Sequence, residues 1–356
     1  MMSLMEPLFD AAYLGVVIAL GMRLLLEEGR DAKRFGIMAM ILGFGDAFHL
    51  VPRIVSNLTR DGFDRYVSLL SWGEFVTSIT MTVFYVLFYH YYRALSGDGS
   101  RVKARLIYSL AALRVALVLL PQNGWGTTGS YAFGIIRNVP FAVMGLLLIV
   151  WCLRYRETDG LRHTGVLIAA SFIFYIPVVV GVRFVPALGA LMIPKTIAYV
   201  LLVVTGFSFF IKDFRPENLL KDSVVFLLLG LMSGVFYREF TKIFSWTGYT
   251  ALKVCHAHLL ALGFVLLILI YLMMQNEAES MPAIKTPLSV YFTGLALTAV
   301  TMTVRGIYTV TSGGTVLFPD AALSGAAGAG HIILGVGLVW LMVKIVRIKA
   351  RETARV

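Results

Sequence analysis

The chain is dominated by eleven apolar runs that are separated by short polar loops. A bilayer-spanning helix needs about 20 mostly apolar residues, and only helices and closed barrels satisfy their backbone hydrogen bonds in lipid. We therefore predict an all-α polytopic membrane protein with eleven transmembrane helices. The fourth and eighth runs are short, which makes them candidates for re-entrant segments. The runs are Leu8–Leu26, Phe35–Ser56, Tyr66–Tyr92, Leu106–Leu120, Tyr131–Leu153, Thr164–Val182, Leu188–Ile211, Ser223–Tyr237, Leu252–Met274, Leu288–Val304 and Ala326–Val346.

The composition supports a protein whose main partner is the lipid bilayer. Hydrophobic residues make up 58% of the 356-residue chain and charged residues only 14%, whereas soluble domains carry about 25% charged residues. A net charge of +11 would suggest a nucleic-acid partner in a soluble protein. Here the basic residues lie in short loops between apolar runs, where they orient helices in the membrane, so we predict no nucleic-acid partner.

The loops alternate in charge along the whole chain. One side of the membrane receives 20 basic residues and the other side 8. The positive-inside rule then places the N-terminus outside and the C-terminus inside. The first residues lack a basic segment and a small-residue cleavage site, so we expect the first run to be a retained helix. We predict a multi-pass protein of the bacterial cell (inner) membrane.

A polar break divides the chain into two predicted domains. Residues 212–222 have the sequence KDFRPENLLKD, whose charge density and Pro216 are typical of a cytoplasmic linker. Residues 1–211 before it form a seven-helix domain. Residues 223–356 after it form a four-helix domain with a basic cytoplasmic tail.

Ionisable residues within the first seven spans are the first functional signal, because such residues are costly in a bilayer. Four of them are basic and two acidic, with one histidine, and a purely structural network would balance its charges. One interpretation is an outward-facing cavity that holds an anionic group, and the other is a set of buried ion pairs that fixes helix packing. The residues are Asp46, His49, Arg53, Glu74, Arg114, Arg137 and Lys195.

The four-helix part carries four ordered motifs: GVFYREFTK at residues 234–242, HAHLLALG at 256–263, TVRG at 303–306 and DAALSGAAGAGH at 320–331. On these motifs it resembles a bacterial membrane family known as domain of unknown function 2871. The resemblance implies a helical membrane fold and no particular activity.

Three histidines in these motifs are the second functional signal. His256 and His258 lie near the start of one helix, and His331 lies at a similar depth on the last helix. Residues two apart point to nearly opposite sides of a helix, so only one of the first two can face His331. We predict His256 and His331 as a pair that binds haem iron or a transition metal, with His258 in an interhelical hydrogen bond, although the two could exchange roles.

Basic residues at the same level, namely Arg238, Lys242, Lys253 and Arg305, are candidates to hold haem propionates. The alternative is that the histidines only form hydrogen bonds between helices, for example to Glu239 or Asp320. The small residues Gly325, Gly328 and Ala329 near His331 are interpreted first as a close-packing surface and second as room for a flat cofactor.

Three functions follow from these signals. The first is a haem- or metal-binding membrane protein in electron transfer or small-gas chemistry. The second is a receptor or transporter for a small anionic ligand, and the third is a structural or assembly protein. No nucleotide-binding or hydrolase motif indicates catalytic residues.

Overall fold

The computed structural model describes residues 2–314 and 319–353, and every regular element in those ranges is helical. The helices are α1 (Met2–Leu25), α2 (Arg30–Leu58), α3 (Gly62–Arg65), α4 (Val67–Ser96), α5 (Arg101–Leu119), α6 (Tyr131–Arg154), α7 (Thr164–Gly181), α8 (Met192–Phe210), α9 (Pro216–Ile243), α10 (Leu252–His258), α11 (Leu266–Met274), α12 (Met281–Thr311) and α13 (Pro319–Thr353). A π-helix, Leu259–Val265, joins α10 to α11 without a break.

Ten helical segments of the described chain are long and apolar enough to cross a membrane, which indicates a multi-pass membrane protein. The predicted eighth run is longer than expected, because it belongs to the 28-residue helix α9. The predicted fourth run forms α5 but is not one of the ten segments. The cause is charge, because its 19 residues include Arg101, Lys103, Arg105 and Arg114.

The chain divides into two compact units whose boundaries differ from the predicted domains. We call Val16–Arg53 with Phe63–Lys212 the N-terminal unit, and Met1–Gly15 with Ile54–Gly62 and Asp213–Val356 the C-terminal unit. The first 15 residues and residues 54–62 therefore pack with the C-terminal unit and not with the domain predicted for 1–211. The predicted linker, residues 212–222, is non-helical only up to Arg215, because proline at the first helical position begins α9 at Pro216.

In the N-terminal unit, α5 runs antiparallel to α4 and α6. In the N-terminal half of α5, the Tyr108 hydroxyl lies 3.0 Å from Nε2 of His90, which is near the C-terminal end of α4. At the other end, Asn123, in the turn just after α5, contacts Arg137 near the start of α6. Arg137 in turn contacts Glu74 near the start of α4. The C-terminal end of α5 is therefore level with the N-terminal ends of α4 and α6.

In the C-terminal unit, each long helix packs antiparallel to the next. Tyr291 and Gly294 of α12 lie against Gly337 and Leu334 of α13, in reverse order. Gly294 lies so close to the Leu334 backbone that a Cβ there would overlap it. The predicted close packing through Gly325 and Gly328 is wrong, since a Cβ on either would meet no atom within 4 Å, and other glycines of α13 make the approach. Ala329 is exposed.

Antiparallel packing also relates α10 to α9 and to α12. Gly234 of α9 approaches His256 of α10, whereas Phe226 approaches Gly263 further along. On the other side, Cys255 Sγ lies 3.7 Å from the Ala299 carbonyl oxygen of α12. Since α10 and α13 are both antiparallel to α12, they are parallel to each other, and their polar residues can meet at one level.

Candidate functional site

The charged residues predicted to share one polar space lie close together in the N-terminal unit. Helices α2 and α4 approach where Gly73 lies against the backbone of Phe48 and His49. Electrostatic interactions link His49 to Arg53 and Lys195. We call the set the polar cluster, and its members are Asp46, His49, Arg53, Glu74, Arg114, Arg137 and Lys195.

Arg137 is a buried member whose charge is balanced by partners. Its guanidinium forms an ion pair with Glu74 and donates a 2.9 Å hydrogen bond from Nη1 to Asn123 Oδ1. The ring of Trp125 lies 4.4 Å from its Cζ. These contacts join α4, α6 and the turn after α5, so this part of the cluster is a structural network, as one of the two interpretations predicted.

Arg114 is also buried but lacks such partners. Only 2% of it is exposed, and its Cζ lies 3.5 Å from the centre of the Phe141 ring. In the part of the chain that the structure describes, its Nε and Nη1 are buried and have no hydrogen-bond partner. A guanidinium stays protonated in proteins and cannot escape burial by losing its charge. The site therefore holds a cation with unused donors.

Lys195 lies in the same region. Its Nζ is 5.2 Å from the centre of the Tyr175 ring and 5.5 Å from that of Tyr199. It interacts electrostatically with the carboxylate of Asp46 and with Arg114. Two cations, one carboxylate and an aromatic wall therefore meet inside the N-terminal unit.

The sequence pattern does not single out three tyrosines around this region, Tyr85, Tyr175 and Tyr199. The hydroxyls of Tyr85 and Tyr199 lie 3.1 Å apart, and the Tyr175 hydroxyl donates to Asn138 Oδ1 at 3.0 Å. In an apolar run, a tyrosine that lines a site looks the same as one that packs. Only the arrangement of the helices shows that these three share one neighbourhood with Arg114.

The formal charges of the polar cluster do not cancel. Glu74 balances Arg137, which leaves Asp46 as the remaining carboxylate of the cluster beside Arg53, Arg114 and Lys195. The cluster thus has a formal surplus of two positive charges with its histidine neutral. The arrangement can accept an anion at Arg114, which is buried, and Lys195, which is half-buried.

In the C-terminal unit, His258 and not His256 lies beside His331. The ring centres of His258 and His331 are 6.0 Å apart and the ring planes are nearly perpendicular, at 88°. His256 instead stacks on Tyr237, 6.4 Å away at 12°. The predicted contact of His256 with His331 is therefore wrong, because the side of α10 that carries His256 packs on α9 near Gly234 and leaves His258 beside His331.

Both rings of the His258–His331 pair are oriented by their own helices. His258 Nδ1 lies 3.0 Å from the Val254 carbonyl oxygen, and His331 Nδ1 lies 2.8 Å from that of Ala327. A carbonyl oxygen can only accept, so each neutral ring carries its proton on Nδ1. Each Nε2 then presents a lone pair, as in metal-bound histidines, whose other ring nitrogen donates its proton to a carbonyl or carboxylate oxygen.

A cavity of about 400 Å³ adjoins His331. His331 and Arg305 line it, together with Tyr249, Tyr308 and Met302. Of the basic residues predicted to hold propionates, only Arg305 belongs to the lining. Arg238 lies beside Glu239 at 3.5 Å, and Lys253 is exposed.

In the described ranges, a third histidine, cysteine or carboxylate ligand does not join the histidine pair. Among the residues that the structure describes, no group of three or more His, Cys, Asp or Glu side chains is placed to hold a metal ion. The side chain of Asp320, one predicted partner of the histidines, lies outside the described residues. The other, Glu239, lies beside Arg238.

Residues 217–348 match the model of a family described as protein of unknown function (DUF2871). The C-terminal part of the chain is thus similar to the DUF2871 family. This match confirms the resemblance that the four motifs predicted. The DUF2871 region contains His256, His258 and His331. The polar cluster lies outside the DUF2871 region. No curated protein and no solved structure matches the chain.

Proposed function

We propose that the N-terminal unit binds a small anion between Arg114 and Lys195, as the ligand-binding part of a membrane receptor or transporter. The observation that carries this proposal is the buried guanidinium of Arg114, whose Nε and Nη1 have no hydrogen-bond partner in the described structure. These two atoms lie on different edges of the guanidinium, and the anion would accept a hydrogen bond from one of them.

The energetics favour an anion over an empty site. An uncompensated buried charge costs several kcal/mol, and the ring of Phe141 offsets only about 1–2 kcal/mol of this cost as a cation–π partner. Lys195 adds a second positive charge that interacts with the first. An anion between them would satisfy both, and its binding energy would include the relief of their repulsion.

The surroundings support a small carboxylate as the ligand class. A guanidinium binds a carboxylate through two parallel hydrogen bonds, and a tyrosine hydroxyl can donate a further one. Tyr85 and Tyr199 provide hydroxyls near the cations, whereas Phe141 provides an apolar wall. Aromatic walls disfavour strongly hydrated, multiply charged anions.

The experiment is thermal unfolding of the purified protein in mild detergent, followed by tryptophan fluorescence. Sodium acetate and sodium benzoate are compared with chloride at constant ionic strength. A ligand at 100 times its Kd stabilises the folded state by about 2.7 kcal/mol, so the unfolding temperature should rise with the concentration of the carboxylate. Arg114→Met should abolish the rise, and Lys195→Met should weaken apparent affinity at least about tenfold.

Arg105→Met is the matched control, because Arg105 lies on the same helix α5 but is exposed. It should respond to carboxylates as the natural protein does. Stabilisation by phosphate alone would contradict the proposed ligand class. An equal response of Arg114→Met and the natural protein would leave the polar cluster as a structural network only.

For the topology, we propose eleven spans in the cell's inner membrane, with the N-terminus outside and the C-terminus inside. Support comes from α5, whose N-terminal half contacts His90 through Tyr108 and whose C-terminal end precedes Asn123, the partner of Arg137. Its 19 residues reach about 28 Å at 1.5 Å per residue, close to the 30 Å of a hydrocarbon core. Apart from Arg114, the charged residues of α5 lie in its first turns, where a loop would reach the cytoplasm.

A further inference from the structure

We infer that the C-terminal unit binds monovalent copper through His258, His331 and Met302. This site is separate from the anion site, and neither proposal depends on the other. The three residues come from α10, α13 and α12, which are neighbours in the antiparallel arrangement of that unit.

The helix arrangement places the two histidines at one level, and Met302 lies one helical turn away along α12. Leu262 follows His258 by one turn, and its carbonyl oxygen accepts a 2.7 Å hydrogen bond from Tyr291 of α12. Cys255, one turn earlier, contacts Thr303 of α12. His258 is therefore level with the middle of the interval between these two contacts on α12.

His331 of α13 lies at a similar level along α12. A Cβ on Gly330 would lie 3.0 Å from Thr298 Oγ1, so Thr298 is level with the residue before His331. Met302 is one helical turn beyond Thr298 and lines the same cavity as His331. The ring centres of His258 and His331 are 6.0 Å apart, a separation that two imidazoles bound to one ion at about 2.0–2.1 Å can adopt.

The donor set selects the metal. Imidazole suits several transition metals, but a thioether is a soft ligand that selects Cu(I) over Zn²⁺ and harder cations. Structural zinc takes four ligands, and no group of three His, Cys, Asp or Glu side chains is found among the described residues. Haem iron would need only two axial histidines, but of the predicted propionate partners only Arg305 lines the cavity.

Two features prepare the histidines to bind. Their Nδ1 atoms lie at the carbonyl oxygens of Val254 and Ala327, which leaves both Nε2 atoms as ligands. The π-helix begins at Leu259, directly after His258, and π-helical turns occur frequently at functional sites. The cavity of about 400 Å³ provides space for the ion to enter beside Met302.

The test is competition for copper under anaerobic, reducing conditions. The full-length protein in detergent is titrated into a coloured Cu(I)–bicinchoninate complex, whose loss of colour reports copper transfer. We expect one equivalent of copper per chain. His258→Ala and His331→Ala should each lower the affinity at least about tenfold, and Met302→Leu should lower it by a smaller factor.

His256→Ala is the matched control, because His256 lies two residues from His258 and stacks on Tyr237 instead. It should bind copper as the natural protein does. X-ray absorption of the copper-loaded natural protein needs no variant to fold, and it should show two imidazoles and one sulfur. Absence of copper transfer, equal affinities in all variants, a copper shell without imidazole, or a haem band that His331→Ala removes would each overturn the inference.

Discussion

Arg114 and Arg137 are two buried arginines of one polar cluster, and they differ in their partners. The guanidinium of Arg137 is paired with Glu74 and Asn123, whereas Nε and Nη1 of Arg114 have no partner in the described structure. A paired arginine stabilises the fold that encloses it, whereas an unpaired one destabilises it. This difference indicates a structural role for Arg137 and a binding role for Arg114 on the neighbouring helix.

This contrast predicts opposite effects of one substitution on stability. Arg137→Met leaves Glu74 and Asn123 without their partner and should lower the free energy of unfolding by about 2–4 kcal/mol. Arg114→Met removes an uncompensated buried charge, so with no carboxylate present stability should stay the same or rise by about 1–2 kcal/mol. Thermal unfolding in detergent with chloride as the only anion measures both. An Arg114→Met protein as unstable as Arg137→Met would show that Arg114 serves packing.

The eleven-span topology predicts that the two ends of α5 lie on opposite sides of the membrane. Gly99 and Thr128 are exposed residues in the turns that precede and follow this helix. On intact cells, a cysteine at Thr128 should react with an impermeant maleimide, whereas one at Gly99 should react only after permeabilisation. Background should be low, because Cys152 and Cys255 are buried. Labelling of both positions from one side would contradict a crossing by α5.

Acid should destabilise the turn between α4 and α5. The Asp98 carboxylate accepts hydrogen bonds from Lys103, from the Tyr92 hydroxyl at 2.8 Å and from the Ser100 amide at 3.0 Å. The Lys103 side chain is the main cause that lowers the pKa of Asp98 to about 2. A carboxylate whose pKa is lower in the folded state stabilises the fold above its unfolded pKa of about 3.9, and this contribution is lost as the pH falls towards 2.

Asp98→Asn should therefore remove part of the loss of thermal stability between about pH 5 and pH 2. At neutral pH the same variant should be less stable by about 1–2 kcal/mol, because a hydrogen-bonded charge is lost. Asp159→Asn is the control, since Asp159 lies in another loop, is exposed and contacts Lys212 at 3.8 Å. Equal acid sensitivity of the natural protein and Asp98→Asn would assign the acid response to other groups.

Much of the secondary structure follows from the sequence alone. Each apolar run must form a helix in lipid, because a helix satisfies its backbone hydrogen bonds within one segment. Ten of the eleven predicted runs fall in candidate spans, and the other forms α5. The residues of the polar cluster were also predictable as a group, because ionisable side chains in spans turn away from lipid towards one another. The order of apolar and ionisable residues along the chain is therefore enough to predict the helices and the membership of the polar cluster.

Pairing within those groups was decided by the tertiary structure. The sequence shows that only one of His256 and His258 can face α13, but not which one, because the rotation of a helix about its axis depends on packing. Here α9 packs on the side of α10 that carries His256, where Gly234 allows a close approach, and His258 is left to meet His331. Likewise, Arg114 and Arg137 look alike in sequence, and only the positions of Glu74 and Asn123 on other elements separate a paired cation from an unpaired one. Such contacts join residues tens of positions apart, so their partners are fixed by helix packing and not by local pattern.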